Sequence, residues 1–317
     1  KRNVDFQTGQ KIKSWNYKGV HLEQSNKRNV YDESTSNLIG LVDPDGNGIE
    51  GLELYFDNYL KGQNGELRYE SAPNGAIIPQ GEIKTIQPKH GEDLVLAIDS
   101  ELQYLTENLC NNALIDTGAF KCSVVFANSL TGEVLISSET SSLDNKYFNI
   151  DLISARAYYE PGSALKIFTI GSLLESDIVN EKKTYLVEDK IEIIDGSCDD
   201  NYEGFKGCFK DFLKHEPLNL SVEEIIERSS NVGTIKIVNK SSIDVVEEFL
   251  KKFGFGSRTG VELSGESKGT FTEYNTCKTC LSSLSIGYSI NTTQYQMVKG
   301  YSIIANGGKD IQLTLLR

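Results

Sequence analysis

The strongest constraint in the sequence is a change of texture near residue 92. Up to about His90 the turn signals DPDGNG, GQNG and APNG break the chain into short pieces, so only short strands and loops are expected there. Beyond it, EDLVLAIDSELQYLTENLCNNAL opens with a short apolar strand ending at Ile98. Asp99-Ser100 then supplies helix-capping chemistry, and Leu102, Leu105, Leu109 and Leu114 follow a helical rhythm. Two β-rich runs in KCSVVFANSLTGEVLISSE flank Leu130-Thr131-Gly132 and predict a hairpin. The expected organisation is a partial N-terminal domain over residues 1–91 and a larger domain over 92–317, with no internal repeat. At 317 residues and 38% hydrophobic content the chain can bury a real core in both.

The formal charge of −13 argues against nucleic acid as a partner, since a phosphate backbone demands a surplus of Lys and Arg. One basic region, with Lys1, Arg2, Lys11, Lys13, Lys18, Lys27 and Arg28 against Asp5 and Glu23, reads as a solvated face. The best candidate for an apolar span is nine residues, Lys166 to Leu174, against the ~18–20 that a membrane crossing needs. The chain opens without Met or a signal peptide and stops at Arg317 within the apolar IQLTLLR, which reads as a fragment cut at both ends. Of six cysteines, Cys198 and Cys208 flank a loop and suit a disulfide, while Cys277-x-x-Cys280 lacks the further ligands of a metal site. Loop disulfides or free thiols are expected, and neither metal nor cofactor.

Chemistry concentrates in YYEPGSALKIFTIGSLL. Pro161-Gly162 ends an extended segment, and the apolar spacing that follows predicts a helix with Ser163 at its start. The offset between Ser163 and Lys166 puts both on one face, a single turn apart. A capping serine and a surface lysine would explain most such pairs, yet Ser163 is the only serine in the chain with a lysine three residues later. A serine at a helix start also has its N–H free to stabilise an oxyanion. Burial against IFTIGSLL would lower a lysine pKa from about 10.4 toward neutrality, where the amine accepts a proton. A second candidate, Ser229-x-Asn231, follows 66 residues later, between two helical segments. Gly265-x-Ser267-x-Gly269 imitates a nucleophile elbow, but no helix is expected after it and no histidine follows it, so a Ser-His-Asp arrangement is set aside.

With S-x-x-K followed by S-x-N, the chain resembles the penicillin-binding protein and serine β-lactamase superfamily. GNGIEGLELYFDNYLKGQNGE resembles the pedestal segment of class B penicillin-binding proteins. LAIDSELQYLTENL, SLTGEVLISSE, YEPGSALK, LSVEEIIERSSNVG, FGFGSRTGVELSGESKG and LSIGYSINTTQYQMVKGYSIIANGG then resemble the transpeptidase domain in its order. SSNVG is closer to the septal, division-specific branch than to the elongation branch. The family's third motif, Lys-Thr-Gly or Lys-Ser-Gly, is not found; Lys278-Thr279-Cys280 imitates it but precedes the SIGYSI segment instead of following it.

The resemblance implies an α/β (α+β) transpeptidase domain, its antiparallel sheet flanked by helices, behind a β-rich pedestal. It implies a serine-type peptidoglycan D,D-transpeptidase. Ser163 would be nucleophile, Lys166 its proton acceptor, Ser229 a proton relay, and Asn231 would hold Lys166 and the substrate amide. Implied partners are stem peptides (a D-Ala-D-Ala donor and an amine acceptor), β-lactams, a glycosyltransferase and other division proteins. An N-terminal helix would anchor the protein in the cell inner membrane, with this region on the periplasmic side. Because the third motif would lie beyond Arg317, the fragment alone is expected to expose an unpaired apolar edge and be inactive. The alternatives are a β-lactamase or β-lactam sensor, and a non-catalytic division scaffold.

Overall fold

The computed structural model describes residues 4–22, 28–73, 76–79, 81–142, 152–204, 207–272 and 277–317. Lys1, Arg2, Glu23 and Lys27 of the basic region and Asn74-Gly75 of the third turn signal lie outside them. The chain divides into two units, residues 1–96 with 145–150, and residues 97–144 with 151–317. The division falls a few residues beyond the change of texture at 92.

In the first unit the turn signals act as expected. The Asp43 carboxylate accepts from the N–H of Asp45 (2.9 Å) and of Asn47 (2.8 Å), closing DPDGNG between the antiparallel strands Leu41–Val42 and Gly48–Glu50. A second pair, Glu66–Tyr69 with Ile83–Ile86, is exposed along its whole length. The unit holds more helix than its turns predict, including Phe6–Ser14, Ser36–Ile39, Gly51–Tyr55 and Asp57–Leu60. The first of these has a side-chain cap, Asp5 accepting from Thr8 N at 2.8 Å and taking an amide that has no partner inside the helix, while the other three have none.

The second unit is built on the predicted hairpin, Lys121–Ala127 against Val134–Ser141. Adjacent strand residues point to opposite faces, so Cys122 and Ser123 report what covers each. Cys122 is disulfide-bonded to Cys110 of the helix Ser100–Thr117. Ser123 Oγ donates to Gln294 Oε1 (2.6 Å) on the helix Gln294–Ala305, and Tyr295 on that helix donates to Ser137 Oγ (3.0 Å). The sheet is thus flanked by helices, in the order the sequence implied.

Asp99 caps the helix Ser100–Thr117 as predicted, accepting from Glu101 N and Leu102 N at 3.0 Å each. The buried face, however, is not the leucine stripe: Leu102, Leu105 and Leu109 are exposed, and Gln103, Cys110 and Leu114 turn inward. The reason is a polar need of the sheet edge. Ser137 directs its backbone N–H and C=O away from its cross-strand neighbour, and Gln103 meets both, its Oε1 accepting at 3.0 Å and its Nε2 donating at 2.9 Å. Asp99 N donates to Leu135 O (3.0 Å) and Val134 N to Thr314 O (2.8 Å) along the same edge. The outer edge of Lys121–Ala127 has no strand partner among the described residues.

The remaining helices enclose the main core. Phe168, fully buried, packs edge-on against Phe253, Phe255 and Tyr301 with ring centroids 5.0–5.3 Å apart. Leu165, Ile170, Leu173, Ile225, Val232 and Ile237 complete the cluster around it. All six cysteines are paired, as Cys110–Cys122, Cys198–Cys208 and Cys277–Cys280. No helix among the described residues is long and apolar enough to cross a membrane. Because Phe168 is the shared neighbour of three rings, Phe168→Ala is expected to destabilise this unit by about 3–5 kcal/mol, read as a lowered urea midpoint; Phe168→Leu should cost clearly less.

Candidate functional site

The chain reaches Ser163 through an extended segment held at both ends. Tyr159 exchanges backbone hydrogen bonds with Thr292 at 2.9 Å each, and Gly162 N donates to Gly287 O at 3.0 Å. Gly162 takes φ +57°, a left-handed conformation natural to glycine, and a Cβ on Gly287 would meet Gly162 O at 1.9 Å. Two glycines therefore let the segments run in close contact just before the serine.

Ser163 does not begin the α-helix, as the apolar spacing suggested; it lies in a 3-10 turn, Gly162–Leu165, and the α-helix runs Lys166–Glu175. The tighter turn arises where Pro161 and Gly162 bend the chain, and the Lys166 N–H donates to Ser163 O to complete it. Tyr301 pins it from outside, its hydroxyl donating to Ala164 O at 2.7 Å. The Ser163 side chain is exposed, whereas Lys166 is only 2% exposed.

Lys166 Nζ donates to Ser229 O (2.5 Å), Asn231 Oδ1 (2.7 Å) and Ser229 Oγ (3.1 Å). An ammonium has three N–H groups, and these three acceptors satisfy it. The structure thus brings Lys166, Ser229 and Asn231 together by side-chain contact. Ser163 joins them as the exposed group one turn away, tied to Lys166 by the backbone bond of the turn and by no side-chain hydrogen bond among the described residues. Burial pulls the Lys166 pKa down to about 8, against the opposing negative charge of Asp211. Such a displacement from 10.5 corresponds to roughly 3 kcal/mol against the charged form.

Ser229 presents its acceptors by adopting φ +53°, unusual for a non-glycine residue. It follows the helix Val222–Glu227, opened by the reciprocal Ser221–Glu224 capping box, and precedes the helix Asn231–Val238, capped by Ser230. The left-handed residue is the bend between them. Strain of this kind costs on the order of 1–3 kcal/mol and persists only where surroundings enforce it.

Sequence reasoning missed part of that surrounding. Asp211 accepts from Ser230 Oγ (2.8 Å) and Val232 N (3.0 Å), and pairs with His215 Nε2 (3.0 Å); Lys210 O accepts from Asn231 Nδ2 (2.9 Å). His215 Nδ1 also faces Glu216 O at 2.8 Å, so both ring nitrogens meet acceptors and its pKa is raised, first by that carbonyl and then by Asp211. The available signal was the i, i+4 spacing of Asp211 and His215. The Gly265–Gly269 segment holds no elbow: Arg156 donates to Ser264 O at 2.9 Å, and the buried Glu266 accepts from Thr259 N at 2.7 Å and Gly260 N at 3.0 Å. Lys278-Thr279-Cys280 leads into a short helix, Cys280–Ser285, and not onto a strand.

Known proteins share this arrangement of elements. The chain is 30% identical, over its whole length and 54% of the relative, to the peptidoglycan D,D-transpeptidase FtsI of Buchnera aphidicola. It is 26% identical to stage V sporulation protein D of Bacillus subtilis, over 97% of this chain and 47% of the relative. The chain spans about half the length of these relatives. Among solved structures, penicillin binding protein 3 of Mycobacterium tuberculosis complexed with ampicillin superposes with TM-score 0.73 at 26% identity, covering 90% of this chain and 59% of that one. A peptidoglycan synthetase from Bifidobacterium adolescentis gives 0.76 at 25% identity, covering 98% and 57%. Residues 122–317 match the profile of the penicillin binding protein transpeptidase domain, and residues 1–96 that of the penicillin-binding protein dimerisation domain. The chain belongs to the penicillin-binding protein family, with segments of both its dimerisation and transpeptidase domains.

Proposed function

We propose that this chain is part of a peptidoglycan D,D-transpeptidase that crosslinks stem peptides through a serine acyl-enzyme during septal wall synthesis. Residues 1–91 serve as pedestal and 92–317 carry catalysis. The observation that carries the reading is the buried Lys166 amine, held by Ser229 and Asn231 one turn from an exposed serine.

Deprotonation leaves the Lys166 amine two N–H groups for its two shorter bonds, to Ser229 O and Asn231 Oδ1. The contact to Ser229 Oγ is the longest, and its release frees a lone pair. That lone pair takes the Ser163 proton as Ser163 Oγ attacks the carbonyl of the penultimate D-Ala, and the Ser163 N–H stabilises the oxyanion. Ser229 passes the proton to the departing amine of the terminal D-Ala. An amine of a neighbouring stem peptide then attacks the ester and regenerates Ser163. β-Lactams acylate the same oxygen, their ring amide standing in for the peptide bond. A glycosyltransferase and other division proteins are the partners of this reaction, at the outer face of the membrane that anchors the protein.

Fluorescent penicillin should label the full-length protein, and Ser163→Ala should abolish the label; rapid turnover of a chromogenic cephalosporin would instead identify a β-lactamase. Lys166→Ala and Asn231→Ala should slow acylation about 10²–10⁴-fold and more modestly, respectively, in stopped-flow labelling. Because the neutral amine is the active form, the second-order acylation rate should rise with pH and level off above about 8, with roughly a tenth of Lys166 neutral at pH 7. A rate flat from pH 6 to 9 would remove Lys166 from the role of base.

A further inference from the structure

We propose that Asp211 is a positioning residue for acyl transfer, holding the Ser229–Asn231 bend in register with Lys166. This rests on the reading of Lys166 as base and extends it to a residue outside both sequence motifs.

Three geometric observations carry it. One carboxylate takes two donors from the bend, Ser230 Oγ at 2.8 Å and Val232 N at 3.0 Å, on either side of Asn231. The same segment orients the Asn231 amide: Lys210 O accepts from Nδ2 at 2.9 Å, which turns Oδ1 toward Lys166 Nζ at 2.7 Å. Asp211 itself sits on a fixed platform. It follows the strand Cys208–Lys210, paired antiparallel with Lys190–Glu192 and crosslinked by Cys198–Cys208, and its own N–H donates to Asp189 O at 3.0 Å. The bend that places Ser229 at φ +53° is therefore held from a segment some twenty residues earlier in the chain, and not by its two helices alone.

Asp211 also carries charge. Its side chain is 9% exposed, so solvent screens it weakly, and its field favours protonated Lys166. His215 Nε2 meets the same carboxylate at 3.0 Å, and the Asp189 carboxylate acts on His215 from the strand connection. Removing the Asp211 charge should thus displace the acylation profile to lower pH, which a purely structural contact would not do.

The test is the pH dependence of fluorescent-penicillin acylation in the full-length protein for wild type, Ser163→Ala, Asp211→Asn, Asp211→Glu and Ser230→Ala, with thermal melting of each. Asp211→Asn should slow acylation about ten- to a hundredfold at pH 7.5, through misplacement of Ser229 and Asn231, and shift the rising limb to lower pH. Asp211→Glu should recover part of the rate, and Ser230→Ala, which removes one of the bend's two donors to the carboxylate, should slow acylation less than Asp211→Asn. A folded Asp211→Asn with wild-type rate and profile overturns the proposal. Should Asp211→Asn fail to fold, a folded Ser230→Ala with wild-type rate and profile overturns it. A wild type without Ser163-dependent label overturns both this assignment and the transpeptidase reading, whereas label lost only in Ser163→Ala with unaffected Asp211 variants overturns this assignment alone.

Discussion

A lysine ammonium with 2% of its surface exposed is the constraint around which the second unit is arranged. Lysines are almost never this buried unless their charge is matched, because desolvation removes the water that stabilised it. Here two oxygens of Ser229 and one of Asn231 replace that water. Ser229 presents those acceptors through a left-handed backbone between two capped helices, and the bend is further tied to Asp211 through Ser230 and Val232. The burial also leaves the amine poised near neutral pH, so one arrangement supplies both the structural demand and the chemical property.

The serine is held by separate means. Pro161, Gly162 and Gly287 allow a tight passage beneath it, Tyr301 secures the turn, and Phe168, two residues after Lys166, fastens the helix in the aromatic core. Ser163 thereby stays exposed while Lys166, three residues on, is enclosed. This asymmetry is what the proposed roles require, a nucleophile open to an external substrate and a base kept dry.

Much of this was readable in the residues. The uniqueness of Ser163-x-x-Lys166, with Ser229-x-Asn231 after it in chain order, singled out the four candidate residues, three of which meet in the fold, and two β-rich runs around a Gly-containing turn marked the hairpin. What escaped did so for physical reasons. The leucine rhythm of Ser100–Thr117 correctly signalled a helix but, Leu114 apart, not its buried face, because the sheet edge at Ser137 needed a donor and an acceptor, and the Gln103 amide supplies both. Cys110 and Cys122 gave no sign of pairing until the helix lay across the strand, with their Cα atoms 5.5 Å apart. Asp211 looked like one acidic residue among forty-five Asp and Glu.

By itself the sequence determined local matters: where turns, caps and apolar periods fall, and that one serine and one lysine share a helical face. These follow from backbone preferences and spacing within a few residues. Only the tertiary structure decided that Lys166 is buried, that its partners come from a bend 63 residues away, and that Asp211 secures the bend. Desolvation and long-range hydrogen bonding depend on which surfaces meet, and no local pattern encodes that meeting.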